Sequence, residues 1–417
     1  MKTKLICLSL FAFSSLYADA DLDALKAEIA AQKQQTQMLE QKVEKLTQEH
    51  SRNTSASFSQ NAYLPAIALI LNMSAVGRNV KNSDYANFSI PGFIDTDTAT
   101  GAGAPELPFN KERGFNFNYA EVTMNSTVDP YFDAFAIFHL HPDHLEIEEA
   151  FVRTRALPFG LRVKAGKFKS AFGRINEKHQ HAWHFDLQPI IYKALFGPDS
   201  ISDAGVQVQW VAPTDTYFMV GAEAMQGANE RTFGGTADGV EKNNLYVGYV
   251  KSSVDVGDDL SILGGVSLAH GQHLGNTSNV YGADLTMRDQ LGGYSALIWQ
   301  SEYLERHMGV DGGKTAKQAG LYSELIYQYN NHYSGGFRYD AITKNDVDLS
   351  SYSTNNISTS NLDKYTAMLE YHPFPMSRLR LSYSYDRTKV IAGVRKDVSQ
   401  VMLSLNIAAG AHGAHNY

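Results

Sequence analysis

From about residue 62 onward, apolar and polar positions alternate with a period of two, in segments of roughly ten residues closed by turn residues. In 399–407, Ser399, Val401, Leu403, Leu405 and Ile407 share one face, and Gln400, Ser404 and Asn406 share the other. In 377–386, Leu379, Leu381, Tyr383 and Tyr385 oppose Arg378, Arg380, Ser382, Ser384 and Asp386. In 131–141, Phe132, Ala134, Ala136, Phe138 and Leu140 oppose Asp133, His139 and His141. Successive strand side chains point to opposite faces, so each segment has one greasy and one wet side. The pattern predicts about sixteen strands, near 63–77, 116–128, 131–141, 144–157, 160–168, 203–212, 216–226, 243–254, 258–270, 279–289, 293–304, 318–329, 332–343, 362–372, 377–388 and 398–409. Within 144–157, Glu148-Glu149 break the alternation as a β-bulge would.

The connections alternate in length. Short ones include Asp129-Pro130, Pro158-Phe159, Asn330-Asn331 and 373–376. Long ones are expected at 78–115, 169–202, 227–242, 271–278, 305–317, 344–361 and 389–397, with Pro142-Asp143 a brief link in a long slot. Short turns on one rim and long loops on the other, around an even number of strands, predict an all-β fold, a transmembrane antiparallel β-barrel over 62–417. Closure leaves no unpaired edge in lipid. A wet lumen also explains a mean hydropathy of only −0.29. Tyr246, Tyr249, Tyr303, Tyr327, Tyr329 and Tyr371 are expected in the interfacial aromatic girdles, and Tyr417 supplies an aromatic last residue of the kind that guides barrel assembly.

Upstream the period differs. Residues 21–50 carry Leu22, Leu25, Ile29, Leu39, Val43 and Leu46 at heptad spacing, with Gln32 and Thr36 as polar layers, and predict a short periplasmic coiled coil. Residues 51–61 are expected to be a linker. Residues 1–20, with Lys2 and Lys4 before an apolar run and Ala18-Asp19-Ala20 behind it, predict a cleaved signal peptide. The single cysteine, Cys7, lies in that segment, so thiolate metal sites, disulfides and Cys nucleophiles are excluded from the mature chain. A net charge of −8 disfavours nucleic acid as a partner.

Strand parity nominates the pore lining. Arg153, Arg155, Arg162 and Lys164 flank one short turn, Arg378 and Arg380 leave another, and Arg338 lies higher. Glu146, Glu148, Glu223, Glu302 and Asp340 are expected near the outer mouth. A basic constriction beneath an acidic vestibule would favour small anions. Six of the histidines fall in 139–184: His139, His141, His144, His179, His181 and His184, with Asp143 beside them. Neutral imidazoles with a carboxylate are candidate ligands for zinc or another divalent ion, although their spacing matches no fixed motif, and no cofactor is required by the pore reading. Ser170 is the only nearby hydroxyl with any appeal, and no nucleophile motif accompanies it, so no enzyme is expected.

Gly166-Lys167-Phe168, Phe172-Gly173-Arg174-Ile175-Asn176-Glu177, His179, His181-Ala182-Trp183, Asp186 and Gln188-Pro189 form a distinctive stretch. Further ones are Asp203-Ala204-Gly205-Val206-Gln207, Trp210 to Thr214, and 410–415. In these the chain resembles bacterial outer-membrane porins of the phosphate-selective-porin-like type with an N-terminal coiled coil, and within them proteins labelled zinc-regulated outer-membrane receptors. That group is often called TonB-dependent, but the chain is too short for a plug domain and twenty-two strands. The resemblance therefore implies a passive pore: a homotrimer in outer-membrane lipid of a Gram-negative bacterium, narrowed by loop 169–202, admitting small hydrophilic solutes or ions. A zinc-binding or zinc-uptake channel, and a surface adhesin or structural barrel using loop 78–115, are the alternatives.

Overall fold

The computed structural model describes residues 65–94, 109–229, 231–234, 243–310, 313–347 and 362–410. The signal peptide, coiled coil and linker expected over 1–61 lie outside the described residues, as does Tyr417. From Pro65 the chain forms one compact unit.

That unit is a closed antiparallel barrel of sixteen strands. In chain order they are β1 (Ala66–Arg78), β2 (Gly114–Thr127), β3 (Phe132–Leu140), β4 (Leu145–Thr154), β5 (Leu161–Lys169), β6 (Ser202–Val211), β7 (Phe218–Met225) and β8 (Leu245–Val256). The rest are β9 (Leu260–His273), β10 (Asn276–Gly292), β11 (Ser295–Val310), β12 (Lys314–Gln328), β13 (Tyr333–Asn345), β14 (Leu362–Tyr371), β15 (Ser377–Asp386) and β16 (Val398–Gly410). Each pairs with its neighbours in sequence, and β1 closes the ring by pairing with both β2 and β16. No helix among the described residues is long and apolar enough to cross a membrane.

The two faces follow the alternation. Leu69, Val152, Val266, Trp299, Leu325, Phe337, Leu369, Leu381, Val401 and Leu403 are exposed on the outside, where lipid would cover them. Arg380, Ser382, Ser384, Asp386, Gln400, Ser404 and Asn406 are buried on the inside. The bulge lies where Glu148-Glu149 break the rhythm: Ile137 pairs with Glu149 and Phe138 with Ile147, leaving Glu148 as the extra residue. Both carboxylates consequently face inward.

Three expectations need correction. The loops foreseen at 271–278 and 305–317 are ladder: β9 and β10 pair up to His273 and Asn276, and β11 and β12 up to Val310 and Lys314. A ladder is held by backbone groups and continues where its side chains turn polar, so a search for apolar faces ends the strand too early. At the first hairpin Leu274 and Gly275 both have positive φ, as a tight two-residue turn requires. Tyr249 is not in a girdle; it is 3 % exposed, on the inner face of β8, and receives a hydrogen bond from Gln209 at 3.0 Å.

Candidate functional site

The connection between β5 and β6, residues 170–201, lies inside the barrel. Its neck is closed by Ser170 N donating to Ile201 O at 2.9 Å. Asn176 ties the two sides of the neck, donating to Ser170 O and Ile201 O at 2.8 and 2.9 Å and accepting from Ile201 N at 2.9 Å. Ala171, Phe172, Ile175 and the short helix α1 (Ile190–Phe196) are buried in one apolar cluster with the inward-facing Leu304, Tyr322 and Leu362. Hydrophobic burial explains why this segment enters the lumen rather than facing water.

Burial removes water from the loop's amides, and wall carboxylates replace it. Glu223 on β7 accepts from Ala171 N at 2.9 Å and from the Ser170 hydroxyl. Glu302 on β11 accepts from Arg174 N, Ile175 N, Tyr192 Oη and Tyr322 Oη at 2.9, 3.0, 2.7 and 2.5 Å. Asp340 on β13 accepts from Ile190 N, the first amide of α1, at 2.9 Å. Gly173, at φ 61°, lets the backbone pass so close to Glu302 and Tyr192 that a Cβ there would strike both.

These contacts revise the acidic vestibule. Glu223, Glu302 and Asp340 face inward but are 4 %, 1 % and 0 % exposed, occupied by the loop rather than by a vestibule. Glu148 is buried too, at 2.6 Å from Lys169; Glu146 is half-buried. Three of the basic candidates are likewise loop anchors. Arg338 donates to Asp340 and, at 3.4 Å, to Gln188 O. Arg378 donates to His181 O at 2.8 Å, and Arg380 bridges Asp186 and Glu370 while donating to Trp183 O. By contrast, Arg153, Arg155, Arg162 and Lys164 retain exposure near the short-turn rim, with Asp133 about 3.6 Å from both Arg153 and Arg155. Ser170 is consumed by its bond to Glu223.

The histidines divide. His139 on β3 and His179 and His181 on the loop converge on the β2 residue Glu121, which is 1 % exposed. Glu121 Oε2 lies 3.2 Å from His139 Nε2, 3.6 Å from His179 Nδ1 and 3.1 Å from His181 Nδ1. His141 lies beside His139 and 3.7 Å from Glu146. His144 and Asp143 sit outside this group: they pair with each other at 2.9 Å on the exposed turn, where His144 stacks on His141. His184 is held elsewhere, by Glu324 at 2.6 Å. Within the loop, His184 is thus carried away from His179 and His181.

In the loop, burial opposes a charge on His179, but the Glu121 and Glu149 carboxylates overcome it and hold its pKa up to about 10. Burial lowers His181, which has Glu121 as its counter-charge and His179 as a competitor. Burial and Arg174 bring Lys178 down to about 8. Burial, with Lys389 and Lys364 near, holds Lys193 well below the usual ammonium range.

Several groups of the site are not marked by residue type or spacing in the sequence. Glu121 is the centre of the histidine cluster, and the hairpin register that sets it directly across from His139 was the available signal. Tyr192, Tyr322 and Gly173 build the Glu302 clamp. Arg174, Glu177 and Lys178 form the loop's partly exposed charged turn, with Lys251 of β8 3.4 Å from Glu177. Lys193, Lys364 and Lys389 line a cavity with Asp186 and Asp386.

No family model matches the chain. An uncharacterized protein of Aquifex aeolicus (strain VF5) is 38 % identical over 392 residues, covering 86 % of this chain and 81 % of that protein. Among solved structures, the anion-selective porin from Comamonas acidovorans has a TM-score of 0.53 at 12 % identity, over 83 % of this chain and 99 % of that one. OprB of Pseudomonas putida has a TM-score of 0.52 at 9 % identity (84 % and 95 %). The outer membrane channel DcaP of Acinetobacter baumannii has one of 0.51 at 11 % identity (84 % and 99 %). At such identities the likeness is one of fold.

Proposed function

We propose that this chain, which belongs to the family of the Aquifex aeolicus protein and is a barrel of the bacterial outer membrane, is a passive pore for small hydrophilic solutes or ions. The observation that carries this reading is the inward loop. A sixteen-stranded barrel encloses an aqueous lumen, and here residues 170–201 narrow it while leaving the charged turn Arg174–Lys178 and the basic inner wall at Arg153, Arg155, Arg162 and Lys164 partly exposed. Diffusion through such a gap needs no energy input. Among the exposed inner-wall groups near that rim basic side chains predominate, which supports a preference for anions. The likeness to the phosphate-selective-porin-like and zinc-receptor-labelled proteins belongs to the same reading. So do a signal peptide over 1–20, a periplasmic coiled coil over 21–50, a linker over 51–61 and assembly as a homotrimer.

Recording from purified protein in a planar bilayer tests the proposal: stepwise conductance is expected, and a protein that inserts without conducting would sink it. Replacing Arg153 and Arg162 by Glu should move the reversal potential toward cations.

A further inference from the structure

The carboxylate at the centre of the histidine cluster is bonded on one side only. Glu121 Oε2 faces three imidazole nitrogens, whereas Oε1, equally buried, has no hydrogen-bond partner among the described residues. A buried carboxylate oxygen left without a donor is costly. The distances around Oε2 have a second meaning. A tetrahedral ion with bonds of about 2.0–2.1 Å separates its ligand atoms by about 3.3 Å, and the separations here are 3.1, 3.2 and 3.6 Å. Glu121, His139 and His179 each offer a ligand atom, all within 4.8 Å of one another.

The outer shell fits as well. His139 turns its other nitrogen to Glu148 at 3.4 Å, and His179 turns its own to Glu149 at 2.7 Å. Carboxylates behind ligating histidines fix the ring and raise its basicity, and the β4 bulge is what brings two consecutive carboxylates to the same face. Lys169 pairs with Glu148 at 2.6 Å, with Glu149 beside it, while Lys167 lies near Glu146 and Lys164 near Glu149. Imidazole nitrogens beside a carboxylate favour a borderline transition ion over calcium or magnesium.

We propose that Glu121, His139 and His179 bind a divalent transition ion such as zinc, with His181 adjacent as a fourth donor, and that this ion joins the inward loop to the barrel wall. The site goes beyond the pore reading and is tested apart from it. Chelator-treated full-length protein in detergent is titrated with Zn²⁺ by calorimetry and with Co²⁺ by visible absorption. About one ion per chain is expected, with the bands of a four-coordinate cobalt site. His139→Ala, His179→Ala and Glu121→Gln should abolish binding, and Glu148→Gln should weaken it about 10–100-fold. His184→Ala, away from the cluster, should leave it unchanged. Folding is checked by the heat-sensitive migration of intact barrels in detergent gels; if an alanine variant fails to fold, the Glu148→Gln result decides. Unchanged zinc affinity in the folded His139, His179 or Glu148 variants, or an equal loss in the His184 variant, would overturn the site. Conductance of the chelated protein is recorded in parallel, so a silent pore and an absent ion give different results.

Discussion

Two carboxylates hold the same loop to opposite parts of the barrel, and they are finished to different degrees. Glu302 receives four fixed donors, two on each oxygen, from two loop amides and two tyrosines. Glu121 has three imidazoles crowded on one oxygen and none on the other. A saturated carboxylate has no capacity left and serves only to fasten. An unsaturated one, ringed by groups that are donors or ligands according to proton occupancy, is suited to exchange partners. The loop is thus bolted on one side and reversibly latched on the other.

The largest effect that would break this contrast comes from Glu302→Leu. It strands four buried donors, each worth about 1–3 kcal/mol when unpaired. The loop should leave the wall, single-channel conductance should rise, and the barrel should open at lower temperature; unaltered conductance would show that the bolt carries no load. Glu121→Gln in chelated protein should do less, about 1–3 kcal/mol, because only one oxygen has partners. Comparing the two variants by thermal gel shift ranks the anchorages directly.

A smaller effect is expected at Lys193, on the helix that also supplies Tyr192 to Glu302. Its folded pKa lies below its ordinary 10.5, so the unfolded chain binds the proton more tightly and stability rises with pH up to that value. Lys193→Met should therefore stabilise the barrel at neutral pH, and its advantage over the parent should shrink as pH approaches 10.5. A constant advantage across that range would assign the gain to packing instead.

Much of the architecture is legible in the alternation, because lipid outside and water inside impose opposite demands on adjacent residues. That logic locates all sixteen strands, places Arg380 and Gln400 inside and Leu381 and Val401 outside, and marks the bulge at Glu148-Glu149. It fails where lipid stops asking anything. The hairpin ends at His273–Asn276 and Val310–Lys314 stay paired through backbone bonds alone. The site was half legible. His139, His141, His179 and His181 stand out by residue type, but Glu121 is eighteen positions from His139 and becomes its neighbour only through pairing across β2 and β3. Parity could show that Glu223, Glu302 and Asp340 face inward, though not that loop amides would occupy them. That depends on the fold of residues 170–201, whose irregular backbone has no period to read.

The extra residue in β4 also bears on how the gene can change. Within an ordinary strand, losing one codon turns every later side chain inside out, sending charge into lipid and grease into water. Here Ile147 already points outward and Glu149 inward on either side of Glu148. Excising Glu148 alone would therefore restore an unbroken rhythm, with Phe151 and Arg153 still facing the lumen. This is a point in the wall where the lineage can shed a residue, and with it one imidazole's support, without rebuilding the rest.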